Sequence, residues 1–592
     1  MNLQISSEPQ EATSTELDSV SIIPLGGLGE FGKNMMVYEF GQDIIIVDAG
    51  IMFPEHHTPG IDLIVNNIEY LVEHRDKIRG VVITHAHEDH MGGLSFLLRE
   101  INNIPVYATK LTLALASGRL KEYHLLSQAE LHTIDTDAPL ELGCFNIEFI
   151  NVTHSVPDAV TLAIHTPIGT IVHTSDFKFD QTPIDNRPTD LHKLAAIGAK
   201  GVRLLLSDST NVDRSGFSPS ERSIFEKLDQ IFRQTENRLF LCTFSSSLHR
   251  IQQFIDLAVS HRRLVAITGR SMISNIRTAS ELGYLNLPPH LLIDIKDVER
   301  FAPHEVLVLS TGSQGEPRSA MALMATNRHS ILKINPEDTV VISARQIPGN
   351  EQAIGQMIDN LLRREAIVIH ENNADIHVSG HGAYEDLKLM LSLVRPNCFV
   401  PLHGEYRHLV EHAKLAELTG VPPQNIIVAE NGDRVRLNLV DCYLDGQVPA
   451  GAVFIDGKTE STNDIVLHDR RLLSSDGIVV PVIHLDLQGQ LVSPVDLVTR
   501  GFVHLDVSED LISESKQIVT QLIQDLDDTI RNQPEKIQEQ IRLVLRRFLK
   551  NQTGKIPIIL SSISQLGSTN NELLDFSESE KQPNEKSQNS EI

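Results

Sequence analysis

"VVITHAHEDHMGGLSFLLRE" runs from Val81 to Glu100 and decides how the rest of the chain reads. An apolar strand ends, an amphipathic helix begins, and His85, His87, Asp89 and His90 crowd the junction. Three imidazoles and a carboxylate at one strand end need either many hydrogen-bond partners or a cation. In an extended segment residues i and i+2 face the same way, so His85 and His87 can address one metal. Asp89 and His90, after the turn into the helix, reach a second. Nitrogen and oxygen donors at this spacing suit an open catalytic zinc, with manganese or magnesium as alternatives, rather than a closed structural site.

Two such sites need donors from elsewhere. Working outward, candidates stand at other strand ends: His154 in "NVTHSVPD", Asp176 in "HTSDFKFD" and His403 in "FVPLHGEY". A lone histidine among 26 is more often a surface or core residue than a ligand. These three gain their weight from the cluster beside which they would fold.

The surrounding text is α/β. "SIIPLGGLGEFGKNMMVYEFGQDIIIVDAG" (21–50) reads as three strands joined by glycine turns, and "VTLAIHTPIGTIVHTSD" (160–176) repeats that hairpin pattern. "IDLIVNNIEYLVEHRD" (61–76) reads as a helical segment between strands. From "GVRLLLSDSTNVDRSGFSPSER" to about Asn372, apolar strands alternate with helices in the rhythm of a separate parallel sheet. The chain then returns to short strands. It ends in two helical stretches, "LISESKQIVTQLIQDLDDTIRNQ" and "PEKIQEQIRLVLRRFLKNQ", and the strand "IPIIL".

At 592 residues there is room for roughly three to four domains. The formal charge of −27 argues against broad, salt-driven coating of nucleic acid, so a polyanionic substrate needs a local positive site such as bound metal. The first basic residue is Lys33, which leaves no secretory or organelle signal in view, and every apolar run falls far short of the ~18 residues that span a bilayer. Cys144, Cys242, Cys398 and Cys442 lie far apart without a C-x-x-C pair. No membrane association and a reducing, cytoplasmic location are expected.

The motifs together resemble a known family. "THAHEDH", "THSVPD", "TSDFKFD" and "PLHGEYR" are similar to the successive motifs of the metallo-β-lactamase fold. "LLSDSTN", "TFSSSLHRIQQ", "GRSM", "TGSQGEP", "IPGNE" and "IHVSGHG" resemble the β-CASP insertion of the ribonuclease J family, and the similarity runs from about Ile22 to Leu560. It implies an α/β fold: a metallo-β-lactamase αββα sandwich with an inserted β-CASP α/β domain and a small α/β C-terminal domain. The expected divisions are a disordered N-terminus (1–20), the lactamase domain in two parts (21–206 and 375–450) and the β-CASP domain between them (207–374). A linker with the C-terminal domain (451–564) and a disordered acidic tail (565–592) follow.

Carried over by position, the resemblance makes His85, His87 and His154 ligands of one divalent metal. Asp89, His90 and His403 then hold the other, with Asp176 as the bridge. It places His381, Asp208 and Asp89 at the chemistry, and His377, Ser379, Gly380, His381, Ser246 and Ser247 at a substrate phosphate. "IHVSGHGAYEDLKLML" leads small residues into a helix, a geometry that points backbone N–H groups at an anion. Helix N-caps explain that stretch and "TFSSSLHR" equally well if either stands alone. The chain departs from the family at Ser247, where Asn is usual, and at Ala86 and Ser175, where Gly is usual.

The implied activity is hydrolysis of RNA phosphodiester bonds by 5′-to-3′ exonuclease and endonuclease action, in RNA maturation and decay. RNA is the implied partner, with a homodimer or homotetramer and other RNA-decay proteins as further ones. The rivals are a β-CASP nuclease acting on DNA, a lactamase-fold hydrolase of a small ester, and a noncatalytic RNA-binding scaffold. Arg542, Arg546, Arg547 and Lys550 read as a solvated helix face, with RNA contact or a subunit interface as alternatives.

Overall fold

A computed structural model describes residues 19–54, 58–347, 349–457, 460–462, 464–503, 509–531 and 533–565. Most of the expected frayed N-terminus (1–18) and the acidic tail (566–592) lie outside them. Two units form: one from the described residues up to Thr462 except 58–60, the other from 58–60 and the described residues from 464 onward.

In "SVSIIPLG" alternation sends Val20 and Ile22 into one core and Ile23 and Leu25 into another, so this strand is covered on both faces. It lies inside an eight-stranded sheet ordered Cys442–Gln447, Asp433–Asn438, Ser19–Gly26, Met35–Phe40, Asp43–Val47, Ile78–Ile83, Pro105–Ala108 and Glu130–Thr133. A six-stranded sheet packs against it, ordered Pro396–Leu402, Val202–Asp208, Gly169–His173, Val160–Thr166, Phe145–Asn151 and Leu140–Leu142. Ile22, Ile45 and Val82 from the first meet Phe149, Leu162, Leu204 and Val400 from the second. Each such side chain contributes roughly 1.5–3 kcal/mol by leaving water. Leu94 and Leu111, from helices Leu94–Glu100 and Lys110–Glu122, cover the outside of the first sheet. Leu194, Leu387 and Met390 cover the outside of the second, which gives four layers, helix–sheet–sheet–helix.

The inserted segment builds a five-stranded, wholly parallel sheet ordered Leu264–Thr268, Val306–Ser310, Leu239–Cys242, Thr339–Ile342 and Ile367–His370. Its strands are apolar at nearly every position because both faces are buried: Leu239 and Leu241 point into one core, Phe240 and Cys242 into another. The chain then returns to the sandwich. Pro396–Leu402 pairs in parallel with Val202–Asp208, and Asp433–Asn438 pairs antiparallel with the first strand, Ser19 opposite Asn438.

The reading of 61–76 as helical is corrected. Leu63–Asn66 is a strand paired with Ala452–Asp456, and helix is confined to Glu69–Glu73 and a 3-10 turn beginning at Arg75. The apolar run "LIVN" takes a distant ladder partner, a choice that local periodicity cannot see. In the second unit, alternation in "IVVPVIHL" buries Val479, Ile483 and Leu485 beneath Ile537, Ile541 and Leu545 of helix Pro534–Thr553. The first of its two expected helical stretches is interrupted, as Glu509–Gln524 and Asp528–Arg531. Arg546, Arg547 and Lys550 lie exposed, and Arg542 pairs with Glu539 at 2.6 Å. Among the described residues all four cysteines are free thiols, and no helix is long and apolar enough to cross a membrane.

Candidate metal centre

The Ile78–Ile83 strand delivers the cluster. Beyond it Thr84 donates both its N–H (2.7 Å) and its hydroxyl (2.9 Å) to the Asp48 carboxylate, which fixes the strand end. The chain bends at His85 and Ala86, and His87 (φ −87°, ψ 149°) is extended before the turn into Glu88–Met91. His85 Nε2 and His154 Nε2 approach His87 Nδ1 to 3.1 and 3.0 Å. His154 gives its other nitrogen, Nδ1, to the Gly380 carbonyl at 2.8 Å. That bond leaves a lone pair on Nε2, directed at its neighbours.

Asp89, His90 and His403 gather on the other side. His403 Nε2 lies 3.4 Å from Asp89 Oδ2, and His90 Nε2 lies 3.7 Å from the same oxygen. Asp176 stands between the two sets, its Oδ2 3.5 Å from His85 Nε2 and 3.3 Å from His90 Nε2, its Oδ1 3.7 Å from His403 Nε2. Asp176 is 1% exposed, and neither carboxylate oxygen accepts a hydrogen bond. A buried carboxylate without such bonds costs several kcal/mol unless a cation compensates it. Both groups, His85–His87–His154–Asp176 and Asp89–His90–Asp176–His403, keep their donor atoms within 4.8 Å of one another. The donor set fits a divalent metal.

The electrostatics differ between the two sets. Burial holds the His85 and His154 imidazoles well below their ordinary range and lowers His87 to about 4, so this set stays neutral and free to ligate. Burial also opposes charge on His403, but Asp176, Asp89 and Asp208 raise it to about 9; His90, facing Asp176, Asp89 and Asp48, moves the same way. Burial works to raise the Asp176 carboxyl, yet the charged imidazoles of His403, His90 and His381 hold it well below the carboxylate range.

Several positioning residues are not singled out in sequence: Asn34 and Asp48 lie outside the quoted motifs, and Thr210 lies inside "LLSDSTN". Asp48 accepts from His90 Nδ1 at 2.7 Å, and Asn34 contacts His90 Nε2 at 3.0 Å and donates to the Asp89 carbonyl at 3.0 Å. Thr210 Oγ1 donates to Asp208 Oδ1 at 2.6 Å and lies 2.7 Å from His403 Nδ1. A carboxylate ending the apolar run "IIIVDAG" was the available signal for Asp48. Asp48 (φ 65°), Ser175 (φ 53°) and His403 (φ 54°) all adopt left-handed backbone, so the centre is built on strained residues. The usual glycine at position 175 is explained by that φ. Here Ser175 donates to Thr84 Oγ1 at 2.7 Å instead. Ala86 has no left-handed backbone and is buried.

The expected phosphate residues divide. His381 Nδ1 bonds Asp208 Oδ2 at 2.8 Å, and its ring stacks 5.2 Å from that of His403. Ser379 Oγ accepts from Asn211 Nδ2 (2.9 Å) and from the His381 N–H (3.1 Å), which leaves its own proton to donate. His377 Nδ1 instead accepts from Arg250 Nη1 at 2.5 Å. Among the described residues no hydrogen bond joins Ser246 or Ser247 to this turn. Arg250, 2% exposed, makes the connection: it pairs with Glu221 (2.6 Å) and donates to the Val378 and Ser343 carbonyls, both at 3.1 Å. Ser247 is the N-cap of helix Leu248–Ser260 but makes no side-chain cap bond.

A Cβ at Gly380 would lie 2.8 Å from His154 Cε1 and 2.9 Å from His154 Nδ1. Gly380→Ala should therefore displace this imidazole and weaken metal binding by about 10–100-fold, as loss of an outer partner does. Competition with a chromophoric chelator reads the affinity; an unchanged value would refute the packing argument.

Known families divide the chain along the same lines. Residues 44–196 match the beta-lactamase superfamily domain, 236–361 the beta-CASP domain of ribonuclease J, 367–429 the Zn-dependent metallo-hydrolase RNA specificity domain, and 465–566 the ribonuclease J C-terminal domain. Ribonuclease J of Thermus thermophilus is 41% identical over 563 residues, covering 93% of this chain and 96% of that one. The chain belongs to the ribonuclease J family. Ribonuclease J of Helicobacter pylori strain 26695 is 40% identical over 92% of this chain and 79% of its own length. Ribonuclease J2 of Bacillus subtilis strain 168 is 39% identical over 93% and 99%. The β-CASP sheet interrupts a lactamase sandwich, and the clustered His and Asp side chains lie just beyond its strands and in helix Glu88–Met91.

Proposed function

We propose that this chain is a metal-dependent ribonuclease that hydrolyses RNA phosphodiester bonds through two divalent ions, zinc foremost, as a 5′-to-3′ exonuclease and endonuclease. RNA maturation and decay in the cytoplasm, as a homodimer or homotetramer, is the setting this reading assigns. The observation that carries it is the buried, unbonded Asp176 carboxylate lying between two sets of imidazoles and within 3.9 Å of His381 Nδ1.

His85, His87 and His154 would hold one ion and Asp89, His90 and His403 the other, with Asp176 shared. Such a pair supplies Lewis-acid polarisation of the phosphate and a water of lowered pKa. The chain's own residues do the rest. Burial opposes charge on His381, but Asp208 and then Asp176 strengthen its hold on a proton. With Nδ1 engaged by Asp208, Nε2 gives that proton to the departing oxygen. Ser379, with both of its contacts donating to it, turns its hydroxyl proton to a phosphate oxygen. A small ester would leave this donor and the His381–Asp208 pair without an anion to meet.

The test is digestion of 5′-monophosphate, 5′-triphosphate and internally folded RNAs beside matched DNA, with product ends mapped. A terminal monophosphate should be held at the Ser379 turn, whereas a triphosphate brings extra charge and bulk into the same space. Exonucleolytic decay should favour the monophosphate, and Ser379→Ala should shrink that preference by about tenfold or more, the effect of one hydroxyl donor to a charged acceptor. Equal rates on both ends would remove the terminal pocket. Cleavage of DNA alone would overturn the substrate class.

A further inference from the structure

Among the described residues, Arg345 beside the Ser379 turn forms no ion pair. Arg345 is half-buried, and its Nη1 donates to Asn211 Oδ1 at 2.9 Å. Asn211 itself is buried and donates onward to Ser379 Oγ (2.9 Å) and the His381 carbonyl (3.2 Å). Arg345 thus stands one side chain away from the hydroxyl assigned to RNA. Among the described residues no carboxylate pairs with its guanidinium. Burial and the nearby charge of Arg214 weaken its hold on its proton, and Glu371 and Asp213 only partly offset them.

The placement is fixed rather than incidental. Gln314 donates to the Arg345 carbonyl at 2.8 Å and accepts from the Ile347 N–H at 2.9 Å. Glu371, which acts on Arg345 through space without forming an ion pair, accepts from the Gln346 N–H at 3.0 Å. Arg250, Arg345, Lys178 and Arg214 all act on His377, so positive charge converges on this turn in a chain of net charge −27. Arg250 is neutralised by Glu221, and Lys178 lies 3.9 Å from Asp180. Arg345 and Arg214 remain in excess.

A half-buried guanidinium with most of its five N–H donors unspent matches a phosphate, which it can take with two parallel bonds. We propose that Arg345, backed by Arg214, forms a second phosphate-binding position for the RNA strand beside Ser379. This rests on the reading of Ser379 as a phosphate contact, and it adds a residue that sets affinity for the strand rather than the chemistry.

The test is binding of a labelled single-stranded decaribonucleotide to the full chain, with chelator present, by fluorescence anisotropy across a salt series. RNAs with a 5′-hydroxyl and a 5′-phosphate are compared. Arg345→Gln should weaken binding about tenfold and reduce the slope of log K against log salt by about 0.7, the signature of one phosphate contact on a single strand. Arg345→Lys should keep the slope while losing part of the affinity. Arg214→Gln, at an exposed position that folding does not depend on, should also reduce the slope. Loss with both RNAs identifies an internal phosphate, and loss with the 5′-phosphate alone identifies the terminal one. Unchanged slopes in Arg345→Gln and Arg214→Gln would overturn the proposal, as would lowered turnover with an unchanged slope, which marks a role through Asn211 only. Failure of the ribonuclease reading shows separately, as wild-type protein that binds RNA but does not cut it once metal is restored.

Discussion

Asp176→Ala is expected to abolish hydrolysis on every RNA tested while leaving the sandwich folded. The physical reason lies in its two oxygens, which are buried, accept no hydrogen bond and face imidazoles of both donor groups. Removing them takes away the only group common to both sets. The variant should also lose the stabilisation that metal confers on the folded state, which for a single site reaches about 2.7 kcal/mol at a hundredfold excess over Kd. Thermal unfolding with and without zinc reads this directly. Wild type should melt higher with metal, and the variant should show little or no gain. Full activity in the variant, or active wild-type protein that contains no metal, would refute the assignment.

His381→Ala separates proton transfer from metal binding. Its Nδ1 is bonded to Asp208 at 2.8 Å and stands 3.9 Å from Asp176; it lies outside the two groups that contain the seven expected ligands but forms a third close group with Asp176, Asp208 and His403, so metal content is the deciding measurement. Turnover should fall by about 10²–10⁴, the range for losing a general acid, while metal content stays near wild type. Asp208→Asn should produce a smaller fall and a shifted pH profile, because the imidazole stays in place but loses the carboxylate that raises it. Metal loss in step with activity would show that His381 is instead a ligand.

The centre was legible where chemistry and local geometry coincide. Four donors in six positions at a strand end admit few other readings, and His154, Asp176 and His403 each follow an apolar run of their own. The parts that escaped depend on contacts far along the chain or on backbone conformation. Leu63–Asn66 reads as helix until Ala452–Asp456 supplies a ladder partner. Left-handed backbone at Asp48, Ser175 and His403 is imposed by the packed fold and leaves no mark in residue type, except where glycine would have stood. Arg250 sits inside a quoted motif, yet its work of joining "TFSSSLHR" to "IHVSGHG" emerges only from its bonds to His377 and Val378. Asn34 is an ordinary polar residue in sequence, and Asn211 merely closes the motif "LLSDSTN". Their importance comes wholly from what lies opposite them.

The order of the chain also orders its birth. The first strand of the sandwich is tied to one of its last, where Arg436 donates to Ser19 across 417 residues, and His403 enters only after the whole parallel sheet has been made. A ribosome working from the N-terminus therefore releases the His85 cluster long before the ligand and the strands that complete it. Until then the sheet lacks Asp433–Asn438 and Cys442–Gln447 and one donor group lacks His403, so completing the sandwich waits on contacts between segments far apart in the chain. Under the proposed assignment, a nascent or truncated chain that stops short of His403 lacks one of the expected metal donors.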